Sequence, residues 1–136
     1  MKRFFCAILV VFLFASAVMP VMAANEQSIS PRYTYIQGLG SSLSIGKLGL
    51  SSCGANCVAY GGDTIKLTMV LQRYNGSSWT TIKTWVEETS TSGIALNKNY
   101  AVTKGYTYRV RATCSVYNAS GTLVESGYIY SNQVVY

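Results

Sequence analysis

Between residues 64 and 74 apolar and polar side chains alternate: Ile65, Leu67, Met69 and Leu71 fall on one parity, Lys66, Thr68, Val70 and Gln72 on the other. A two-residue period puts the two sets on opposite sides of an extended chain, so this segment is a strand with one face in a core. Asn75-Gly76 follows at once, a pair that suits a tight hairpin. The pattern recurs, enriched in Tyr, Thr, Val and Ile, over 33–45, 48–60, 79–86, 94–102, 106–117 and 122–135. Gly38 and Gly40 interrupt the earliest of these runs, an irregularity is expected near Gly54, and Gly127 breaks the last. Turns fall at Gly61-Gly62-Asp63, in the Ser/Thr-rich stretch 87–93, at Lys104-Gly105 and over 118–121. No 3.6-residue period is sustained through this part of the chain. About seven short strands joined by glycine turns predict an all-β fold, an antiparallel sandwich, with a small closed β-barrel as the alternative.

The beginning of the 136-residue chain is different in kind. Lys2 and Arg3 precede an apolar run from 4 to 18 broken only by Ser16; Pro20 ends it, and Val21-Met22-Ala23-Ala24 offers small residues for cleavage. These are the three parts of a secretory signal peptide. As a membrane anchor the run falls short of the roughly 20 apolar residues that span a bilayer, and no charged stop-transfer flank follows. Cleavage after Ala23 or Ala24 removes Cys6, all four Phe, Lys2 and Arg3, and lowers the formal charge from +6 to +4. The chain is therefore read as a leader (1–23), a polar, loose segment (24–30) and a single domain (31–136), secreted to the extracellular space with no transmembrane segment in the mature protein. The remaining charge is scattered. Without a basic run it does not suit a nucleic-acid partner, and it supports only a weak preference for anionic surfaces.

The stretch from 102 to 126 resembles the end of a fibronectin type III domain. Val102, the Lys104-Gly105 turn, Tyr108, Val110, Ala112 and the turn over 118–121 occur in that family's order. Residues 67–79 fit its strands C and C′. The resemblance implies an immunoglobulin/fibronectin-III-like β-sandwich of about seven strands, with Tyr108 as the tyrosine-corner residue whose hydroxyl bonds backbone near the preceding turn. The chain departs from that family in having no Trp on its second strand and three cysteines after the leader. Over nearly its whole length, the order of Ser30-Pro31-Arg32-Tyr33, a Gly- and Cys-containing second strand, Leu71-Gln72, Trp79, Trp85 and the run from Gly105 to Val110 is similar to a group of small secreted proteins of Gram-positive anaerobic bacteria. That likeness implies secretion and a bacterial source, and transfers no site residues.

Cys53, Cys57 and Cys114 allow one internal disulfide and leave one thiol. Cys114 shares parity with Tyr108, Val110 and Ala112, the inward set of its strand, and Cys57 shares parity with Ala55 and Ala59. A Cys57–Cys114 bridge would join the two sheets in the immunoglobulin manner and is the favoured pairing. Cys53–Cys57 requires Gly54-Ala55-Asn56 to turn tightly, since four residues of extended strand exceed bridging distance. Cys53–Cys114 and a fully reduced chain remain open as well.

The chain has no His, so Ser-His and Cys-His nucleophiles are absent, and three Cys without paired C-x-x-C spacing leave a metal ligand set incomplete. Glu87 and Glu88 are adjacent in a loop, Asp63 lies in a turn and Glu125 is isolated among serines, so no carboxyl pair faces a common substrate. A non-enzymatic protein without a cofactor is expected. If the third and sixth strands pair, outward parity gathers Lys66, Thr68, Val70, Gln72, Arg109, Arg111 and Thr113, and Trp79, Lys83 and Trp85 share a face of the adjacent strand. The candidate binding face is thus Lys66, Gln72, Arg109, Arg111, Trp79 and Trp85. Aromatic rings stack on sugars, and guanidinium forks grip carboxylate or phosphate. The competing assignment puts both Trp in the core and makes the Arg solvated ladder positions. The expected function is a secreted immunoglobulin-like module that binds a cell-wall glycan, a host surface or a protein partner. A structural, self-assembling extracellular protein is the alternative, and a cationic bacteriocin-like effector the third.

Overall fold

The computed structural model describes residues 32–136; the leader, the segment 24–30 and Pro31 lie outside the described residues. Eight strands follow in order: β1 (Ile36–Ile45), β2 (Leu50–Ala59), β3 (Thr64–Tyr74), β4 (Trp79–Thr89), β5 (Gly93–Ala101), β6 (Thr107–Tyr117), β7 (Leu123–Tyr130) and β8 (Val134–Val135). They form two antiparallel sheets, one ordered β1-β2-β5 and the other β4-β3-β6-β7, with β8 also paired to β6. The sheets do not close on each other, so the fold is a sandwich and the barrel is excluded.

The alternation that defines β3 is what fills the interior. Ile65, Leu67, Met69 and Leu71 are buried and meet the inward set of β6: Tyr108, Val110, Ala112, Cys114 and Val116. Ile36, Leu43, Ala55 and Leu96 close the core from the smaller sheet. Cys57 and Cys114 are bridged across the two layers, with Cα atoms 6.2 Å apart. The bridge closes a loop of 57 residues, which on a chain-entropy account stabilises the fold by about 4 kcal/mol. β2 stays extended through Gly54, Ala55 and Asn56, so the tight turn that Cys53–Cys57 needs is not made. Cys53 is left as a buried free thiol; burial pushes its pKa up, against a weaker opposing contact from the Ser51 hydroxyl at 3.6 Å. Tyr108 is fully buried, and its hydroxyl donates to the Thr103 carbonyl at 2.6 Å, across the Lys104-Gly105 turn.

Several boundaries differ from those expected. The run 122–135 parts at residues 131–133, not at Gly127, and yields β7 and β8. Gly127 continues the strand, paired with Cys114 of β6, and is glycine because the Tyr33 ring occupies the space a Cβ would fill. Gly38 and Gly40 lie inside β1, where one register shift between Ile36 and Gly38 is the only irregularity, and β2 runs through Gly54 without a break. Gly54 leaves room for the Ser42 hydroxyl of the neighbouring strand. β4 extends to Thr89, so Glu87 and Glu88 are strand residues pointing to opposite sides. Glu88 meets Lys66 at 3.6 Å on the same sheet, and Glu87 meets Lys98 of the other sheet at 3.8 Å.

Glu125, without a partner in the sequence pattern, has three in the fold. Its carboxylate accepts the backbone N–H groups of Thr34, Tyr35 and Ile36 at 2.6, 2.8 and 2.6 Å. The chain leading into β1 is thereby fastened to β7 of the opposite sheet. Burial alone would raise the carboxyl pKa, but the bonds from Ile36, Thr34 and Tyr35 outweigh it and hold the group below the ordinary glutamate value.

Candidate ligand-binding face

β3 and β6 are neighbours, and their register sets Gln72 opposite Arg109, Val70 opposite Arg111 and Thr68 opposite Thr113. These residues are out of phase with the buried set, so all of them lie on the outer face of the larger sheet. Arg109 is the centre of the arrangement. Its Nε donates to Gln72 Oε1 at 2.8 Å, and its guanidinium carbon lies 4.0 Å from the Trp79 ring centroid and 3.8 Å from that of Tyr130. The cation is therefore packed between an aromatic ring from β4 and one from β7, with a hydrogen bond from β3 fixing its rotation. Each ring face is an electron-rich surface, and such contacts contribute about 0.5–1 kcal/mol at exposed sites.

The strip continues on both sides. Tyr74 lies against Trp79 with ring centroids 5.2 Å apart, and Tyr128 lies edge-on to Tyr130 at 5.6 Å. Arg111 reaches over Tyr128, 5.0 Å from its centroid, and its Nε is buried with no hydrogen-bond partner. Neither Arg109 nor Arg111 has a carboxylate partner among the described residues. Tyr128 and Tyr130 are 57% and 40% exposed, which makes them the accessible end of the strip.

Not every residue expected on this face is there. The pairing of β3 with β4 runs Tyr74–Trp79, Arg73–Thr80, Gln72–Thr81 and then Leu71–Lys83, which leaves Ile82 as an extra residue. A single bulged residue shifts everything beyond it to the opposite face. Trp79 stays opposite outward Tyr74, whereas Trp85 falls opposite the core residue Met69. Trp85 packs against the core, edge-on to Tyr100 of β5 at 6.2 Å. The expectation that Trp79, Lys83 and Trp85 share a face is thus corrected: the two tryptophans are divided, Trp79 to the surface strip and Trp85, half-buried, to the core-facing side. Lys66 does lie on the outer face, but at its other end and engaged with Glu88.

Sequence parity missed Tyr74, Tyr128 and Tyr130. The signal for the last two was present as alternate tyrosines on one strand, but which strand β7 pairs with decides what they touch. Arg73, of inward parity, lies apart, its guanidinium 4.4 Å from the Tyr106 ring centroid and its Nε likewise without a partner.

The smaller sheet presents a second outer face. Its register aligns Gly40, Asn56 and Ala95, then Ser42, Gly54 and Asn97, then Ser44, Ser52 and Asn99. A shallow groove of about 320 Å³ lies over Gly54, flanked by Ser42 and Asn97. Among the described residues no helix is long and apolar enough to cross a membrane. The chain matches no family model, and no curated protein matches it.

Proposed function

We propose that the mature chain works outside the cell as a non-enzymatic, immunoglobulin-like binding module, and that it meets its ligand with the outer face of β4-β3-β6-β7. The observation that carries this reading is the packing of Arg109 between Trp79 and Tyr130 with Gln72 holding its Nε. It creates a pre-ordered strip of rings and cations on a solvent-facing sheet, and pre-ordering lowers the entropy lost on binding. The ligand classes that suit it are a cell-wall glycan, a host surface or a protein. The inter-sheet disulfide is in keeping with export to an oxidising compartment.

The test is retention of the mature domain on purified cell walls, beside Trp79→Ala and Arg109→Ala. Wild type is expected to be retained and both variants to lose about tenfold or more in affinity, as central aromatic and Arg contacts do. No retention of wild type, or equal retention of the variants, removes this face as the binding surface.

A second reading, self-assembly through sheet edges, draws on β7. This edge strand carries Leu123, Val124, Tyr128, Ile129 and Tyr130 exposed, and has no Lys, Arg or Pro to discourage pairing with another strand. A mass that rises with concentration in size-exclusion chromatography would favour it; a monomer at every concentration would exclude it.

A further inference from the structure

The two arginines of the strip differ in what they have left to offer. Arg109 has a ring close on each side and its Nε bonded to Gln72. Arg111 has one ring, Tyr128, no carboxylate among the described residues, and a buried Nε without a partner. The buried Nε is closed to solvent, so what Arg111 can offer a ligand is the rest of its guanidinium, whose charge no carboxylate of the described residues offsets. The Arg111 guanidinium carbon lies 5.0 Å from the Tyr128 centroid, so the cation sits beside the most exposed ring of the strip.

Resting on the reading of this face as a binding surface, we propose that Arg111 is the anion receptor of the strip and that the ligand is a carboxylate-bearing polysaccharide, a chain of sugar acids lying across Tyr128 and Tyr130. Charge complementarity carries the choice. Glu88 is the single carboxylate among the strand residues of this face, and it is paired with Lys66 at the far end. The strip itself therefore holds two uncompensated cations. Arg111 and Tyr130 are direct register partners, and Tyr128 is the next residue on the same side of β7. Opposed side chains on adjacent strands start about 5 Å apart, so a ring face and a cationic fork lie side by side. A sugar acid carries its carboxylate at the edge of its ring, and a single residue of the polymer can place its ring on tyrosine and its carboxylate on Arg111. The strip runs across four strands with its side chains in a row, an arrangement that suits an extended chain better than a small molecule. Arg109 is a positioning residue in this arrangement: it orders Tyr130.

The experiment uses the mature protein, polygalacturonic acid, the same polymer with its carboxyls reduced to alcohols, polyphosphate and poly-glutamate, with affinity electrophoresis at two salt concentrations. Polygalacturonate is expected to retard the protein, and the reduced polymer to bind about tenfold more weakly, the usual order for a lost charge-assisted pair. Arg111→Gln should lose a similar factor. Arg111→Lys should lose nearly as much, because a point charge cannot replace a planar fork. The proposal is overturned if Arg111→Lys binds like wild type, or if polyphosphate or poly-glutamate binds as well as polygalacturonate. Equal binding of the reduced polymer also overturns it, yet leaves the face a glycan-binding surface. Absence of binding to every polymer removes the sugar-acid ligand, and retention on whole cell walls then decides separately whether the broader reading survives. Should Arg111→Gln unfold, as a melting curve would reveal, Arg111→Lys and Tyr128→Leu decide the matter.

Discussion

The two sheets share one core and turn opposite characters to solvent. The larger presents Trp79, Tyr128 and Tyr130 interleaved with Arg109 and Arg111; the smaller presents Gly40, Gly54, Ser42, Ser44, Asn56, Asn97 and Asn99. Both are outer faces of antiparallel strands whose inner residues pack against each other, so the fold makes the same demand on each. The smaller sheet meets that demand with small and polar residues over its middle, and carries bulk outward only at the ends of β2, in Leu50 and Val58. Rings and guanidiniums on the larger sheet are therefore more than a sandwich of this topology requires, and this surplus is the physical ground for the proposal that a ligand meets that side.

The strongest test of a shared core is to cut the bond between the layers. Replacing both Cys57 and Cys114 by Ala should cost about 2–5 kcal/mol, read as a large fall in melting temperature. If the two faces rest on one core, the native fluorescence of Trp79 (read in a Trp85→Phe background) and the amide protection of β2 should be lost together; separate transitions would show the sheets to be independent. A smaller effect separates the two tryptophans. Trp85→Ala removes a ring packed on the core and should cost about 2–3 kcal/mol while leaving ligand retention intact. Trp79→Ala should cost about 1 kcal/mol and weaken retention about tenfold or more. The same loss of stability from both would mean that the surface strip is a folding element after all.

The smallest effect concerns the tie between the sheets at Glu125. Its folded-state pKa is depressed, so its contribution is complete above the ordinary glutamate value and is lost as pH falls through the lowered one. Melting temperatures of wild type and Glu125→Gln should accordingly differ near neutrality and converge in acid. A gap that persists unchanged at low pH would show that the three N–H bonds do not depend on the charge. Amide exchange at Thr34, Tyr35 and Ile36 should accelerate in the variant while the strip on the larger sheet stays protected.

How far these features could be read in advance varies with how local they are. The outward set of β3 and β6, including Gln72, Arg109 and Arg111, followed from parity alone, since each strand is regular over its whole length. Parity and the immunoglobulin resemblance favoured Cys57 with Cys114, but Cys53 has the same parity as Cys57, and only the fold chose between them. The side on which Trp85 lies did not follow, because one extra residue at Ile82 reverses the parity beyond it, and no residue type there announces a bulge. Gly127 read as a break for a related reason: its neighbour Tyr33 lies far away in the chain and comes close only in the fold.

By itself the sequence determined that the described domain is all-β, which residues of its regular strands face inward, and where its glycine turns at 61–63, 75–76, 104–105 and 118–121 lie, because a period of two and the backbone freedom of glycine act within a few residues. Only the tertiary structure decided which strands lie side by side, and with that the stack of Trp79, Arg109 and Tyr130 from three different strands, the division of the tryptophans and the role of Glu125. Those contacts join residues distant in the chain, and their register depends on how the whole core packs.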